Sequence, residues 1–172
     1  MDLKKYIRVI PNFPEEGISF KDITTLLKDP QALKFSIERF TELAKELDVD
    51  VIVGPEARGF IFGTAIAYNL GVGFVPIRKP GKLPHKTLNQ EYTLEYGKDA
   101  LEIHEDAIKP GQRVLIIDDL LATGGTLLST AKLIEQLEGN VAGILTLIEL
   151  TDLKGREQLT QYHVHSLVSY PF

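Results

Sequence analysis

The sequence predicts an α/β fold, a central parallel twisted sheet flanked by helices. Two observations predict it. Short runs at Val49–Val53, Val72–Ile77, Arg113–Ile117 and Val141–Ile148 are apolar on both faces, as strands covered on both sides must be. Helical patterns alternate with these runs, which is the signature of strand–helix–strand units. In such sheets ligands bind beyond the carboxyl ends of the strands, so the strand-to-helix junctions are the places to search.

Taken in order, Pro11–Gly17 carries two prolines and a glycine and reads as irregular. Asp29-Pro30 reads as an N-cap with proline at the first helical position. Leu33, Ile37, Phe40, Ala44 and Leu47 then follow at helical spacing, and the helix ends near Leu47–Asp48. Val49–Val53 is a buried strand ending at Gly54-Pro55. Phe60–Leu70 is apolar nearly all round, which predicts a helix sandwiched within the protein and capped by Gly71. Val72–Ile77 is the next strand. Lys79 to Gly97 breaks the alternation; a connection of that length inside a compact domain is usually functional. Its second half, Glu91–Tyr96, alternates in polarity and pairs on this reading with Leu101–His104 as a hairpin. The Lys109-Pro110-Gly111 turn introduces the strand Arg113–Ile117. Thr126–Leu137 is helical and closed by Gly139-Asn140. Val141–Ile148 and His163–Val168 complete the strands.

Composition narrows the function. The 172 residues suit one domain, 1–172, and 44% hydrophobic with 25% charged residues give a core and a polar surface. Cysteine is absent, which excludes disulfides and thiolate metal sites. The apolar runs are too short to span a bilayer, and Met1–Lys5 leads into no apolar targeting segment, so the expectation is a cytoplasmic protein with no membrane partner. A net charge of −5 argues against a broad grip on nucleic acid. Yet Arg78, Lys79, Lys82 and Lys86, with His85 among them, form a local basic cluster suited to a small anion. His85, His104, His163 and His165 show no metal-ligand spacing and read as ordinary histidines.

One segment carries chemistry. Val114–Ile117 is a buried strand, Asp118 and Asp119 stand at its carboxyl end, and Ala122-Thr123-Gly124-Gly125-Thr126 leads into a helix. Glycines let main-chain N–H groups converge on an anion, and the helix N-terminus adds partial positive charge. Vicinal hydroxyls suit carboxylate acceptors. Acidic pair and small-residue loop together describe a sugar phosphate. The pattern is neither a P-loop nor a dinucleotide fingerprint. Glu56-Ala57-Arg58-Gly59, at another strand–helix junction, offers main-chain N–H groups and a guanidinium to a second anion.

Val114–Thr126 resembles the PRPP-binding signature of the type I phosphoribosyltransferases, where PRPP is phosphoribosyl pyrophosphate. Phe13-Pro14, Gly17–Ile23, Gly54–Phe60, Arg78–Pro84, Leu94–Gly97 and Glu149–Arg156 resemble the adenine-using branch of that family. The resemblance implies the type I fold with a short N-terminal base-binding hood and a mobile β-hairpin loop. It implies transfer of the phosphoribosyl group of PRPP to adenine, giving AMP and pyrophosphate, with Mg²⁺ carried by PRPP rather than by direct protein ligands, and a homodimer. By the same resemblance Asp118 and Asp119 bind ribose, Ala122–Thr126 hold the 5′-phosphate, and Glu56, Ala57, Arg58, Arg78, Lys79 and Lys82 hold pyrophosphate. Ser19, Phe20, Lys21 and Leu150 hold adenine. The mobile loop carries Tyr96 and Glu95, the latter as general acid or base. The same chemistry on another base, or a PRPP sensor without turnover, stays open at this point.

Overall fold

The computed structural model describes residues 1–94 and 97–172. The chain opens with a two-stranded antiparallel sheet, β1 (Arg8–Ile10) and β2 (Phe20–Asp22), then α1 (Thr24–Leu27) and α2 (Pro30–Lys45). It continues through β3 (Val51–Pro55), α3 (Arg58–Leu70) and β4 (Gly73–Ile77) to a hairpin of β5 (Thr87–Leu94) and β6 (Gly97–His104). β7 (Arg113–Leu121), α4 (Gly125–Gln136), β8 (Asn140–Leu150) and β9 (Val164–Tyr170) follow. The central sheet runs β4-β3-β7-β8-β9, and every pairing in it is parallel. The expected α/β architecture is the one found.

The core lies on both faces of this sheet, because side chains alternate along each strand. Leu115 and Ile117 of β7 pack with Phe40 of α2 and with Phe62 and Ile66 of α3. Val114 and Ile116 face the other way, with Leu133 and Ile134 of α4 and Leu101 and Ile103 of β6. Each of these side chains is at or near zero exposure, and each stabilises the fold by about 1.5–3 kcal/mol. The acidic pair therefore continues a run of fully buried residues in the middle of the sheet.

Local rules set the ends. Asp29 caps α2 by accepting from the amides of Gln31 and Ala32 at 3.0 and 2.9 Å, with Pro30 behind it. Gly71 closes α3 in the left-handed region at φ 70°. Pro76 sits inside β4 because β4 is an edge strand, where a missing N–H costs little.

Several expectations need correction. α2 stops at Lys45, and its buried stripe is Ala32, Ser36, Phe40 and Ala44, while Leu33, Ile37 and Leu47 stay half-exposed. α3 is not covered all round: Ile61 and Tyr68 are 41% and 87% exposed, because the helix packs chiefly on the sheet and α2. α4 is closed by Glu138, not Gly139, in the left-handed region at φ 64°, and Asn140 already belongs to β8. The hairpin starts four residues earlier than its alternation predicts, pairing Thr87 with His104 through to Leu94 with Gly97.

Candidate active site

β7 does not end before the acidic pair. It runs to Leu121, so Asp118 and Asp119 lie inside the strand. β3 leaves the ladder after Val53↔Ile116, whereas β8 pairs on through Leu121↔Glu149. The last residues of β7 are thus held on one side and open to a pocket on the other. That geometry explains both the longer strand and the access.

The pocket is a cavity of about 330 Å³. Its walls are Pro55–Arg58, Lys79, Tyr92, Leu101, Asp118–Leu120 and Ala122–Leu127. Four parts of the chain therefore meet at one place: the junction after β3, the basic segment after β4, the β5–β6 hairpin and the junction after β7. Register does this. Pro55 pairs with Ile77, and the Glu56 amide donates to the Ile77 carbonyl at 2.9 Å, which sets Glu56 beside Arg78. The Glu56–Ala57 peptide is cis.

Beyond β7 the loop turns at Gly124, whose φ of 91° belongs to the left-handed region and favours glycine. α4 begins at Gly125, and the Leu128 amide makes its first bond to the Gly124 carbonyl at 2.9 Å. A second support comes from the short 3₁₀ helix Gly155–Leu159. Gln158 donates from Nε2 to the Thr123 carbonyl at 2.6 Å, and Gly155 lies directly against Ala122 and Gly124. Arg156 fixes that helix by a bidentate pair with Glu149 at 3.0 and 2.6 Å. Gly155, Gln158 and Tyr92 were not among the site residues expected; the only signal in the sequence was the Lys154-Gly155-Arg156 stretch.

The electrostatics are those of a site whose cations are already engaged. Arg58 Nε donates to Asp119 at 2.5 Å. Glu56 accepts from the Lys79 amide at 2.8 Å and from Lys82 Nζ at 2.7 Å, and lies 3.4 Å from Arg78 Nε. Lys79 Nζ donates to Asp99 on β6. Burial drives the Asp118 carboxyl well above the ordinary carboxylate range, and the adjacent Asp119 charge pushes the same way. The Asp119 amide, donating to Asp118 Oδ1 at 2.8 Å, opposes this.

Not every expected residue is in the cavity. Arg78 and Lys82 reach it only through Glu56. Ser19, Phe20, Lys21 and Leu150 do not line it. Ser19 Oγ accepts from Lys21 Nζ at 2.9 Å, the Phe20 ring meets Phe13 edge-on at 5.2 Å, and Leu150 ends β8 half-buried. Glu95 and Tyr96 lie outside the described residues.

An acidic pair, a glycine-turned cradle and a basic rim around one cavity define a transferase that handles a phosphorylated sugar, and the chain belongs to the phosphoribosyltransferase family. The model of the phosphoribosyl transferase domain matches residues 24–169. Within the family its relatives are adenine phosphoribosyltransferases. That of Alkaliphilus oremlandii is 63% identical over 172 residues, covering 100% of both chains. The solved structure from Thermoanaerobacter pseudethanolicus is 57% identical with a TM-score of 0.92, covering 98% of each chain. That from Saccharomyces cerevisiae, complexed with D-2,5-dideoxy-2,5-imino-altritol 1,6-bisphosphate and adenine, is 43% identical with a TM-score of 0.91, covering 96% of each.

Proposed function

We infer that residues 1–172, acting as one domain, transfer the phosphoribosyl group of PRPP to adenine, giving AMP and pyrophosphate. The observation that carries this is that Asp118, Asp119 and Ala122–Thr126 share one cavity with Glu56–Arg58 and Lys79. Such a cavity can hold an anion at each end and a sugar between them, which is the charge pattern of PRPP.

On this reading Ala122–Thr126 anchor the 5′-phosphate by main-chain N–H groups and the Thr123 and Thr126 hydroxyls. Asp118 and Asp119 accept from the ribose hydroxyls. Arg58 and Lys79 neutralise the departing pyrophosphate as its bond to the sugar C1 breaks, and the Ala57 main-chain N–H donates to it. Glu56, a carboxylate, is no partner for that anion; it gathers Arg78, Lys82 and the Lys79 main chain at its rim. Ser19, Phe20, Lys21 and Leu150 form the adenine side, where β2 pairs with β1 on one edge only and leaves main-chain groups for a base. Glu95 is the assigned acid or base, and Tyr96 belongs with it to the loop. Magnesium fits the acidic wall of the cavity, whose carboxylates are hard oxygen donors, and would be held there by Asp118 and Asp119 through the ribose. When bound it screens the pyrophosphate charge.

Release of AMP from adenine, PRPP and Mg²⁺, followed spectrophotometrically, is the test. Adenine is expected to be used in preference to hypoxanthine, guanine and xanthine; turnover of one of those instead would overturn the base assignment. Segment 79–97 acts as the cover that excludes water from PRPP. Trypsin is expected to cut after Lys82 and Lys86, both exposed, less readily once PRPP is present; equal cutting would count against closure. The uncovered Ile61 and Tyr68 on α3, with Leu33 and Ile37 of α2 beside them, support the homodimer. Among the described residues no helix is long and apolar enough to cross a membrane, and we assign the enzyme to the cytoplasm with small molecules, not nucleic acid, as partners.

A further inference from the structure

Lys79 is held at both ends. Its main-chain amide donates to Glu56, which fixes the backbone at the rim of the cavity. Its ammonium is taken by the hairpin: Nζ donates to Asp99 Oδ2 and lies 3.4 Å from the Tyr92 hydroxyl. Tyr92 and Asp99 are direct cross-strand partners on β5 and β6, and the Tyr92 hydroxyl also donates to Asp99 Oδ2 at 3.2 Å. The Tyr92 ring packs on the start of α4, within 3.2 Å of where a Cβ on Gly125 would stand. Lysine, phenol and carboxylate thus form a chain from the basic rim to the phosphate cradle. Tyr92 and Lys79 line the cavity, and Asp99 does not.

The carboxylate is not required to build the hairpin. The β5–β6 ladder is continuous from Thr87↔His104 to Leu94↔Gly97, and the Asp99 side chain is 32% exposed. Among the described residues its partner of opposite charge is Lys79. The hydrogen bond from Lys79 is the main reason the Asp99 carboxyl is held below its ordinary range. Burial works against the charge on Lys79, but the bonds to Asp99 and Tyr92 outweigh it and raise its pKa.

We propose that Asp99 is a positioning residue for Lys79, a stand-in anion that holds the ammonium on the hairpin and must yield it when the pyrophosphate group of PRPP arrives. This rests on the function inferred above. Its sign is unusual. Asp99 competes with pyrophosphate for Lys79 and also repels it, so both effects work against binding. Removing the charge is expected to tighten binding, which loss of a structural residue would not do.

The test is Asp99→Asn in the full chain, with Mg²⁺-pyrophosphate titrated calorimetrically. Its Kd and the KM for PRPP are each expected to fall about two- to five-fold, the range an exposed ion pair supports. The KM for adenine stays put, and Asp99→Glu restores the parent values. In a Lys79→Met background the gain shrinks, because the competition runs through that one ammonium and only the direct repulsion is left to relieve. Unchanged or weaker pyrophosphate binding by Asp99→Asn overturns the proposal, and so does an equal gain in the Lys79→Met background. If the parent chain itself neither binds pyrophosphate nor makes AMP, the inferred function fails instead.

Discussion

Replacing Asp118 and Asp119 together by asparagine is expected to lower kcat/KM for PRPP about a thousandfold, while the protein stays folded. Two donors on the ribose lose two buried carboxyl acceptors, and a single preorganised polar contact of this kind is commonly worth about a hundredfold or more. Arg58 loses its 2.5 Å partner at the same time and is no longer drawn across the cavity. The single variants separate the causes. Asp119→Asn frees the guanidinium. Asp118→Asn replaces a buried carboxyl with a neutral group of the same shape.

Stability is expected to move the opposite way for Asp118→Asn. The Asp118 carboxyl is raised well above its ordinary 3.8, first by burial and then by the charge of Asp119. A raised carboxyl stabilises the fold below 3.8, and that contribution is lost as pH rises toward the folded pKa. At neutral pH the parent therefore carries a cost that the asparagine variant lacks. Thermal melts at pH 5 and pH 8 should show the parent losing stability between them and Asp118→Asn losing less. Less than a tenfold loss of activity in the folded double variant would remove the acidic pair from its assigned role. A site that is costly to the fold and essential to turnover is the expected form of the stability–function trade-off.

How much of this was legible in the sequence depends on whether the determinant was local. Asp29-Pro30 and Gly71 act on their own helices, and both ends fell where their chemistry placed them. The strands were visible as apolar runs because both faces of the sheet are covered. The end of β7 was not visible, since it depends on β8 continuing after β3 has left, a fact of register that no residue within Val114–Leu121 encodes. The exposed side of α3 was misread for a related reason. Apolar residues all round a helix do not tell which of its faces the rest of the chain packs against. Within the site, the cradle could be read from Ala122–Thr126 because its chemistry is main-chain and contiguous. Gly155, Gln158, Tyr92 and Asp99 come from later or earlier segments and join the site only through tertiary contacts. Glu56 shows the limit most plainly. Its position in the loop was right, but a carboxylate among cations declares its role only when the cations just beyond β4 are seen to converge on it.

Gly155→Ala is expected to open the phosphate cradle, although residue 155 touches no part of the inferred ligand. A Cβ there would stand 2.2 Å from the Ala122 carbonyl oxygen, 2.9 Å from Leu121 Cδ1 and 3.0 Å from the Gly124 nitrogen. The first and third are main-chain atoms of the cradle, so no rotamer change relieves them. The contact is reciprocal: a Cβ on Gly124 would come within 2.7 Å of the Gly155 oxygen. One methyl group must therefore push the 3₁₀ helix away from the loop, breaking the Gln158 bond to Thr123, or force the loop out of its turn. Overpacking of this kind costs about 1–3 kcal/mol, and backbone pressed on backbone belongs at the upper end. Because the amides that would hold the 5′-phosphate are the ones displaced, the KM for PRPP should rise at least about tenfold, since each charge-assisted hydrogen bond contributes on the order of 1.5–3 kcal/mol. The KM for adenine should change less, because Phe20 and Lys21 of the adenine side lie on a different sheet. Gly73→Ala, at a glycine with nothing within 4 Å of its would-be Cβ, is the matched control and should leave both constants near the parent values. A Gly155→Ala variant that keeps full affinity for PRPP would mean that the cradle does not depend on the buttress behind it.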